Sequence, residues 1–339
     1  MLGEVLRLMP SLAPNLGIAY EHYEDALTPQ AFQRRLDERH ADATCVVGVN
    51  LHIEVRQDLS QALAEWCGRR GIPIYDNVQD YWPHHRDDLR RLAERFGVEL
   101  LASSPFIVSQ LIQVGFTTGH LPMGAQLPSL QSSVPSLPPA VGAVGRMVRR
   151  KRFPDVVKAF RLAGLDKIAQ LHLTLVPSQV FQPQQDSVQM ELLRAKITGD
   201  GFDAGSIKFI RGPVVPPGYD ALTVYVCASD YEGFSMTPYE AAYCGCPPIV
   251  SDIPPHRHMA ECLFAERAEE FLFPVGDCLV LAAKLTDEIV GGARRAFLKE
   301  RSEEIRHAVE DRFSIRVTAR ALAELALKLP RSGRACPSN

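Results

Sequence analysis

The stretch VYVCASDYEGFSMTPYE, residues 224–240, sets an apolar run directly against a polar turn and the start of a helix. The run VYVCAS (224–229) has the composition of a strand buried on both faces. Gly233 lets the backbone after it turn sharply and come close to a ligand. Thr237 is a good N-cap, Pro238 suits the first helical position, and Glu240 falls three residues past the cap. Thr-Pro-Tyr-Glu therefore has the form of a capping box. Local chemistry leaves two readings of each acid: Glu232 is an exposed loop acid or a ligand contact, and Glu240 closes the capping box or reaches a ligand. The ligand readings rest on the combination. A strand, a glycine-containing turn and a helix N-terminus leave backbone N–H groups at the strand's carboxyl end, which suits a phosphate or an anionic leaving group. A carboxylate nearby can accept hydrogen bonds from sugar hydroxyls.

The same alternation of apolar run and helical pattern extends through the chain. EVLRLM (4–9), ATCVVGV (43–49), IPIYDNV (72–78) and VELLAS (98–103) read as strands in the first part. AVGAVG (140–145), LHLTLVP (171–177), IKFIRG (207–212) and PPIVSD (247–252) join VYVCAS in the second. Amphipathic helices are expected over 59–69, 87–96, 155–162, 238–243 and 280–289, with residues 292–329 almost wholly helical. Strands alternating with helices imply α/β domains, each with a parallel sheet covered on both faces. The Pro/Ser-rich segment AQLPSLQSSVPSLPPA (125–140) has no amphipathic period and reads as an extended linker. The expected organisation is an N-terminal domain over 1–124, a linker over 125–140, a C-terminal domain with terminal helices over 141–329, and a tail over 330–339. Two such domains would face each other across a cleft.

Composition narrows the class. With 339 residues, a net charge of −3 and 23% charged residues, the chain lacks the strong basic bias of a nucleic-acid-binding domain. Its eight cysteines are scattered, and Cys244-Gly-Cys246 has no second pair at zinc-ligand spacing, so a metal site is not expected. No signal-peptide pattern opens the chain and no run approaches a membrane span, which leads to the expectation of a cytoplasmic protein with at most peripheral membrane contact.

A second cluster lies in VGRMVRRKRF (144–153), after the first strand of the C-terminal half and before a helix. Arg146 stands at the strand end and Lys151 five residues on. Read alone, this is a solvated basic turn or a cation pair for a pyrophosphate, with Arg binding bidentately and Lys acting as a point charge.

VGRMVRRKRFPDVVKAF, IKFIRGPV, VYVCASDYEGFSMTPYEAAYCGCPPIVSDIPPHR and FLFPVGDCLVLAAKL follow one another over roughly residues 142–287. In that order they resemble the donor domain of GT-B glycosyltransferases of the large retaining group called family 4. The E-x7-E pattern of that group falls on Glu232 and Glu240. The resemblance implies two Rossmann-like domains, here with a reduced N-terminal one. The implied reaction is transfer of a sugar, of hexosyltransferase type, from a nucleotide-diphosphate sugar to an acceptor hydroxyl on a glycan, lipid or protein. It would proceed with retention and without a cofactor or an obligatory metal.

Position by position, the resemblance assigns Arg146 and Lys151 to the diphosphate, Glu232 to the transferred sugar and Glu240 to the ribose. It gives the backbone of Gly233, Phe234, Ser235 and Met236 to the sugar and phosphates. Some positions depart from the pattern. Arg152 replaces the usual glycine and would tighten or re-aim its turn. Ser178-Gln179 replaces a Gly-rich turn, and His258 stands where glutamate is common, as a surface histidine or a ligand contact. In the first half only Gly17 remains of a glycine pair, and Gln79-Asp80 replaces a His-Asp; Gln79 can hydrogen-bond but cannot carry a proton. Gly17, Gln79 and His84, with His85 beside it, are the expected acceptor-side or sugar contacts. The reduced first domain and Gln79 motivate a rival reading, a catalytically silent nucleotide-sugar-binding protein or partner subunit. A GT-B epimerase would lack the E-x7-E turn, and a phosphorylase would need a pyridoxal cofactor and a longer chain.

Overall fold

The structure is a computed structural model that describes residues 28–43, 45–52, 57–125, 127–128, 130, 138–146, 148–176, 207–211 and 218–328. The strand expected over 4–9, Gly17, the Ser178-Gln179 turn and the tail over 330–339 lie outside the described residues. The chain divides into two compact units, Met1–Gly124 with Ile315–Asn339, and Ala125–Ser314.

Among the described residues the first unit begins with α1 (Pro29–Arg39), whose N-cap Thr28 accepts from the Ala31 N–H and whose first residue is proline. Phe32 and Leu36, four residues apart on one face, are buried with Leu59, Leu63 and Trp66 of α2 (Gln57–Arg70). Strands β1 (Val46–Val49), β2 (Ile74–Val78), β3 (Glu99–Ala102) and β4 (Thr118–His120) form a parallel sheet in the order β1-β2-β3-β4. The helix expected over 87–96 is α3 (Arg86–Arg90) running into a π turn, Arg91–Arg95. Helix α4 (Pro105–Gln113) starts at Ser104, whose hydroxyl accepts from the Ile107 N–H.

The helix Ile315–Lys328 also belongs to this unit, which corrects its expected place among the terminal helices of the C-terminal domain. The reason is packing: Leu322 is buried with Tyr75, Leu101 and Leu121. Thr318 Oγ1 also accepts from the Gly124 N–H at 2.9 Å.

The second unit holds β5 (Ala140–Arg146), α5 (Phe153–Leu162), β6 (Gln170–Val176), β7 (Ile207–Arg211), β8 (Val224–Cys227), α6 (Met236–Tyr243) and β9 (Pro248–Ser251). It continues with α7 (Pro254–Phe264), α8 (Ala268–Phe271), β10 (Leu272–Phe273), α9 (Cys278–Gly291), α10 (Ala293–Glu300) and α11 (Ser302–Phe313). The strands form one parallel sheet in the order β10-β9-β8-β5-β6-β7. Strand alternation sorts the core: Val224 and Val226 join Val141, Phe160 and Leu285 on one face. Tyr225 and Cys227 join Tyr219, Tyr239, Phe264 and Phe313 on the other. The segment expected to begin as a solvated linker is packed at its start. Ala125 is fully buried, its N–H donates to the Phe313 carbonyl at 2.6 Å, and Leu127 packs on the core. Apolar side chains and a satisfied backbone hold it in the second unit.

Connections from β5 run outward to β6 and β7, and the chain then returns to the other side of β5 as β8. The sheet's topological switch point is therefore between β5 and β8, and open α/β sheets bind ligands at the carboxyl ends there.

Candidate active site

Both sequence clusters meet at that switch point. The turn after β5 is a 3₁₀ turn, Arg149–Lys151, followed by Arg152 in the left-handed region at φ 48°, ψ 37°. Arginine thus adopts the conformation glycine favours, at a cost of about 1–2 kcal/mol. The guanidinium holds it: Nε donates to Asp155 at 2.6 Å and Nη1 lies 3.7 Å from Asp230. Nη2 fills the space above Gly276, where an added Cβ would stand 2.9 Å away. The positive backbone angles around the site belong to Gly145, Arg152 and Gly276, not to Gly233.

Glu232 is the centre of the site. It is buried, and its carboxylate accepts from Lys151 Nζ at 2.6 Å, Arg150 Nη1 at 3.4 Å and Ser229 Oγ at 2.6 Å. Burial pushes its pKa up, but Lys151 and Arg150 outweigh that and hold it at about 2. The exposed-loop reading of Glu232 is thereby corrected. The Asp230 N–H donates to the Arg150 carbonyl at 2.9 Å and Arg150 reaches the Tyr231 carbonyl at 3.3 Å, so the two turns are stitched together by backbone as well as charge. The stem of Lys151 lies against Gly145, where an added Cβ would come within 3.2 Å of Cε. Lys151 also lines a small cavity with Val144, Cys227, Ala228 and Ser229. Arg146, the last residue of β5, is exposed. The two cations brought to Glu232 are therefore Lys151 and Arg150, and Arg150 was not singled out by the motif. Behind them Ser251 Oγ donates to the Ser229 carbonyl, and the buried His256 donates through Nδ1 to the Ser251 carbonyl at 2.9 Å.

The capping box does not form. Helix α6 begins at Met236 with Ser235 at the N-cap and no side-chain cap bond, so Thr237 lies inside the helix. Its hydroxyl instead accepts from Tyr225 Oη at 2.6 Å. Glu240 is buried and accepts from Tyr219 Oη through Oε2 at 2.7 Å. Two long-range phenols outcompete the local cap. Gly233 and Ser235 are buried, Phe234 stacks on Tyr239 at 5.3 Å, and Met236 is half-buried. His258 is exposed on α7, edge-on to Phe313, which fits its surface reading.

In the first unit Gln79 and His84 stand at the carboxyl end of β2, Gln79 half-buried with its N–H donating to Asn50 Oδ1 at 2.7 Å, and His84 exposed. The buried polar group there is one the sequence reading missed. Asp76 accepts from His52 Nδ1 at 2.9 Å and from the Leu51 N–H at 2.9 Å, and both side chains are fully buried. His52 Nε2 lies 3.2 Å from the Asp80 carbonyl, and the His85 ring packs edge-on at 5.1 Å. Burial, then the neighbouring His52 and His84, lower the His85 pKa to about 4. The overlooked signal is a charged residue in the middle of the apolar run IPIYDNV. Among the described residues no group of three or more His, Cys, Asp or Glu could hold a metal ion, and no helix is long and apolar enough to cross a membrane.

Two parallel α/β sheets, with a polar cluster at the switch point of the second, define the GT-B glycosyltransferase architecture. HepE of Anabaena, crystallised with UDP-glucose, is similar at a TM-score of 0.71 and 18% identity over 94% of this chain and 89% of that one. Sucrose-phosphate synthase of Thermosynechococcus elongatus is similar at 0.66 and 19% identity, over 89% and 77%. TarM of S. aureus, solved with UDP and α-GlcNAc-glycerol, matches at 0.66 and 11% identity over 88% of this chain, which spans 58% of TarM's length. No curated protein matches the sequence. The family model of glycosyl transferases group 1 matches residues 138–311, and the chain belongs to that family.

Proposed function

We propose that the chain transfers a sugar from a nucleotide-diphosphate sugar to an acceptor hydroxyl, with retention at the anomeric carbon. The observation that carries this reading is the buried Glu232 bonded to the half-buried Lys151 and Arg150 at the β5/β8 switch point, in a unit matched by the glycosyl transferases group 1 model. In support, HepE is seen with UDP-glucose and TarM with UDP. The diphosphate would sit at the carboxyl ends of β5 and β8, sharing Lys151 with Glu232 and drawing Arg146 in from the strand end. The backbone from Gly233 to Met236, at the start of α6, would face the phosphates and sugar. Glu232 stays ionised and would accept hydrogen bonds from the sugar's hydroxyls, while Glu240 would take the ribose hydroxyls.

Charge develops on the departing nucleotide, so fixed cations at that point lower the barrier without reorganising, and the reading needs no metal there. The acceptor oxygen bonds to the anomeric carbon on the face the diphosphate leaves, and its proton passes to the departing phosphate oxygen. Glu232 and Glu240 are not the acid and nucleophile of a retaining glycosidase.

The test is incubation with UDP-, GDP-, ADP- and dTDP-sugars, with and without simple glycoside and lipid acceptors, and with chelator present. Transfer or slow donor hydrolysis giving the donor's anomeric configuration by NMR is the expected result. Inverted product overturns the mechanism. Tight donor binding with neither hydrolysis nor transfer overturns the enzyme reading in favour of a silent binding subunit.

A further inference from the structure

Thr237 and Glu240 lie three residues apart on α6, on one side of its first turns. Each is bonded to a phenol from outside the helix, Thr237 to Tyr225 at 2.6 Å and Glu240 to Tyr219 at 2.7 Å. Tyr225 comes from β8 and Tyr219 from the 3₁₀ turn Tyr219–Ala221 that precedes it. The two rings meet edge to face, with centroids 5.5 Å apart and planes at 82°. Neither tyrosine has any exposed surface. Phenylalanine would fill either space without bringing a hydroxyl into the core, where an unsatisfied one costs about 1–3 kcal/mol. The hydroxyls thus serve their partners. Burial, and then the adjoining Glu240 carboxylate, push the Tyr219 pKa well above its usual value, so the O–H remains a donor at any physiological pH. With Oε2 held by Tyr219, the Glu240 carboxylate is kept from folding back into the cap its sequence spacing offers.

We infer that Tyr219, braced edge-on by Tyr225, is a positioning residue that orients Glu240 to receive the ribose hydroxyls of the nucleotide. The inference rests on the donor-site reading above. It gives the binding of the nucleoside half a determinant that lies outside the E-x7-E stretch.

The test is calorimetric binding of UDP, GDP and ADP, each beside its 2′-deoxy form, to the full chain. For the nucleotide that binds best, the wild type is expected to prefer the ribo form. Tyr219→Phe is expected to cut that preference about 3–10-fold, the scale of one ordinary net hydrogen bond, while leaving the deoxy affinity unchanged. A purely structural role would weaken both forms together. In Glu240→Gln the preference is expected to collapse, and adding Tyr219→Phe should change nothing further. An unchanged preference in folded Tyr219→Phe overturns the inference. So does a normal preference in Glu240→Gln, which leaves Tyr219 in place. If the wild type binds a diphosphate without preferring the ribo form, the Glu240–ribose contact fails and the inference with it. If none of the three binds, the donor-site reading itself is what fails.

Discussion

Each of the two units buries a carboxylate, Asp76 within β2 and Glu232 in the turn after β8, and the two are partnered by different chemistry. In the first unit Asp76 is bonded to His52, with the neutral His85 against it. In the second, Glu232 lies between Lys151 and Arg150. Histidine and carboxylate form an orienting hydrogen-bond network. Lysine and arginine form a permanent charge array, in which an anionic ligand can take over part of the cations' attention from the carboxylate. On the proposed reading the second arrangement receives a diphosphate, whereas the first holds backbone and rings in place.

The contrast breaks most sharply at Glu232. Glu232→Ala leaves the half-buried Lys151 and Arg150 without their carboxylate, so roughly 3 kcal/mol of stability should disappear, read by chemical denaturation. On the proposed reading Lys151→Ala should lower transfer by about 10²-fold or more, since it removes a cation that would face the leaving group. Near-normal turnover in that variant would refute the site.

Asp76→Asn tests the other sheet. It weakens the bonds to His52 and to the Leu51 N–H, and a loss of roughly 1.5–3 kcal/mol is expected. Trp66 and Trp82, the only two tryptophans, both lie in the first unit, so their fluorescence should report this loss. A transition unmoved in fluorescence would show that the buried pair adds nothing.

Acid should separate the units as well. His85 is held neutral, with a folded pKa of about 4 against an ordinary value of 6.5. Its contribution is fully present above pH 6.5 and is lost as the pH falls through that window toward 4, because the unfolded chain takes up the proton first. Glu232 is held ionised, at about 2 against an ordinary 4.5, so its contribution persists down to pH 4.5 and is lost only below it. Fluorescence should therefore register destabilisation at a higher pH than far-UV circular dichroism of the remaining structure. Coincident acid transitions would contradict the contrast. The smallest effect is expected for Arg152→Gly. Relief of the left-handed backbone strain offsets the lost ion pairs, leaving stability within about 1 kcal/mol of wild type.

Much of this was legible in the sequence, for physical reasons. VYVCAS, AVGAVG and IPIYDNV are long enough and apolar enough to be strands in either unit, and all three are. Strands β4 and β10, of three and two residues, are too short to carry a pattern, and β4 is largely exposed. The helical run over 292–329 hides a change of allegiance at Ser314, because periodicity reports an apolar face and not the sheet that will cover it. Glu232 and Lys151, which the family resemblance singled out, are brought into contact by the turns after β8 and β5. Tyr219, Tyr225 and Arg150 were missed, because their roles are contacts made across 21, 12 and 82 residues. The capping box in TPYE failed on the same ground: a local pattern cannot register a donor arriving from elsewhere in the fold.

The most direct test of the central claim, that the Lys151–Glu232 array receives a nucleotide's diphosphate, is calorimetry of one nucleoside and its diphosphate on wild type and Lys151→Ala. The expected result is a diphosphate bound far more tightly than the nucleoside by the wild type, with that advantage largely lost in the variant and the nucleoside affinity unchanged. A diphosphate bound no better than its nucleoside, or equally well by both proteins, would contradict it.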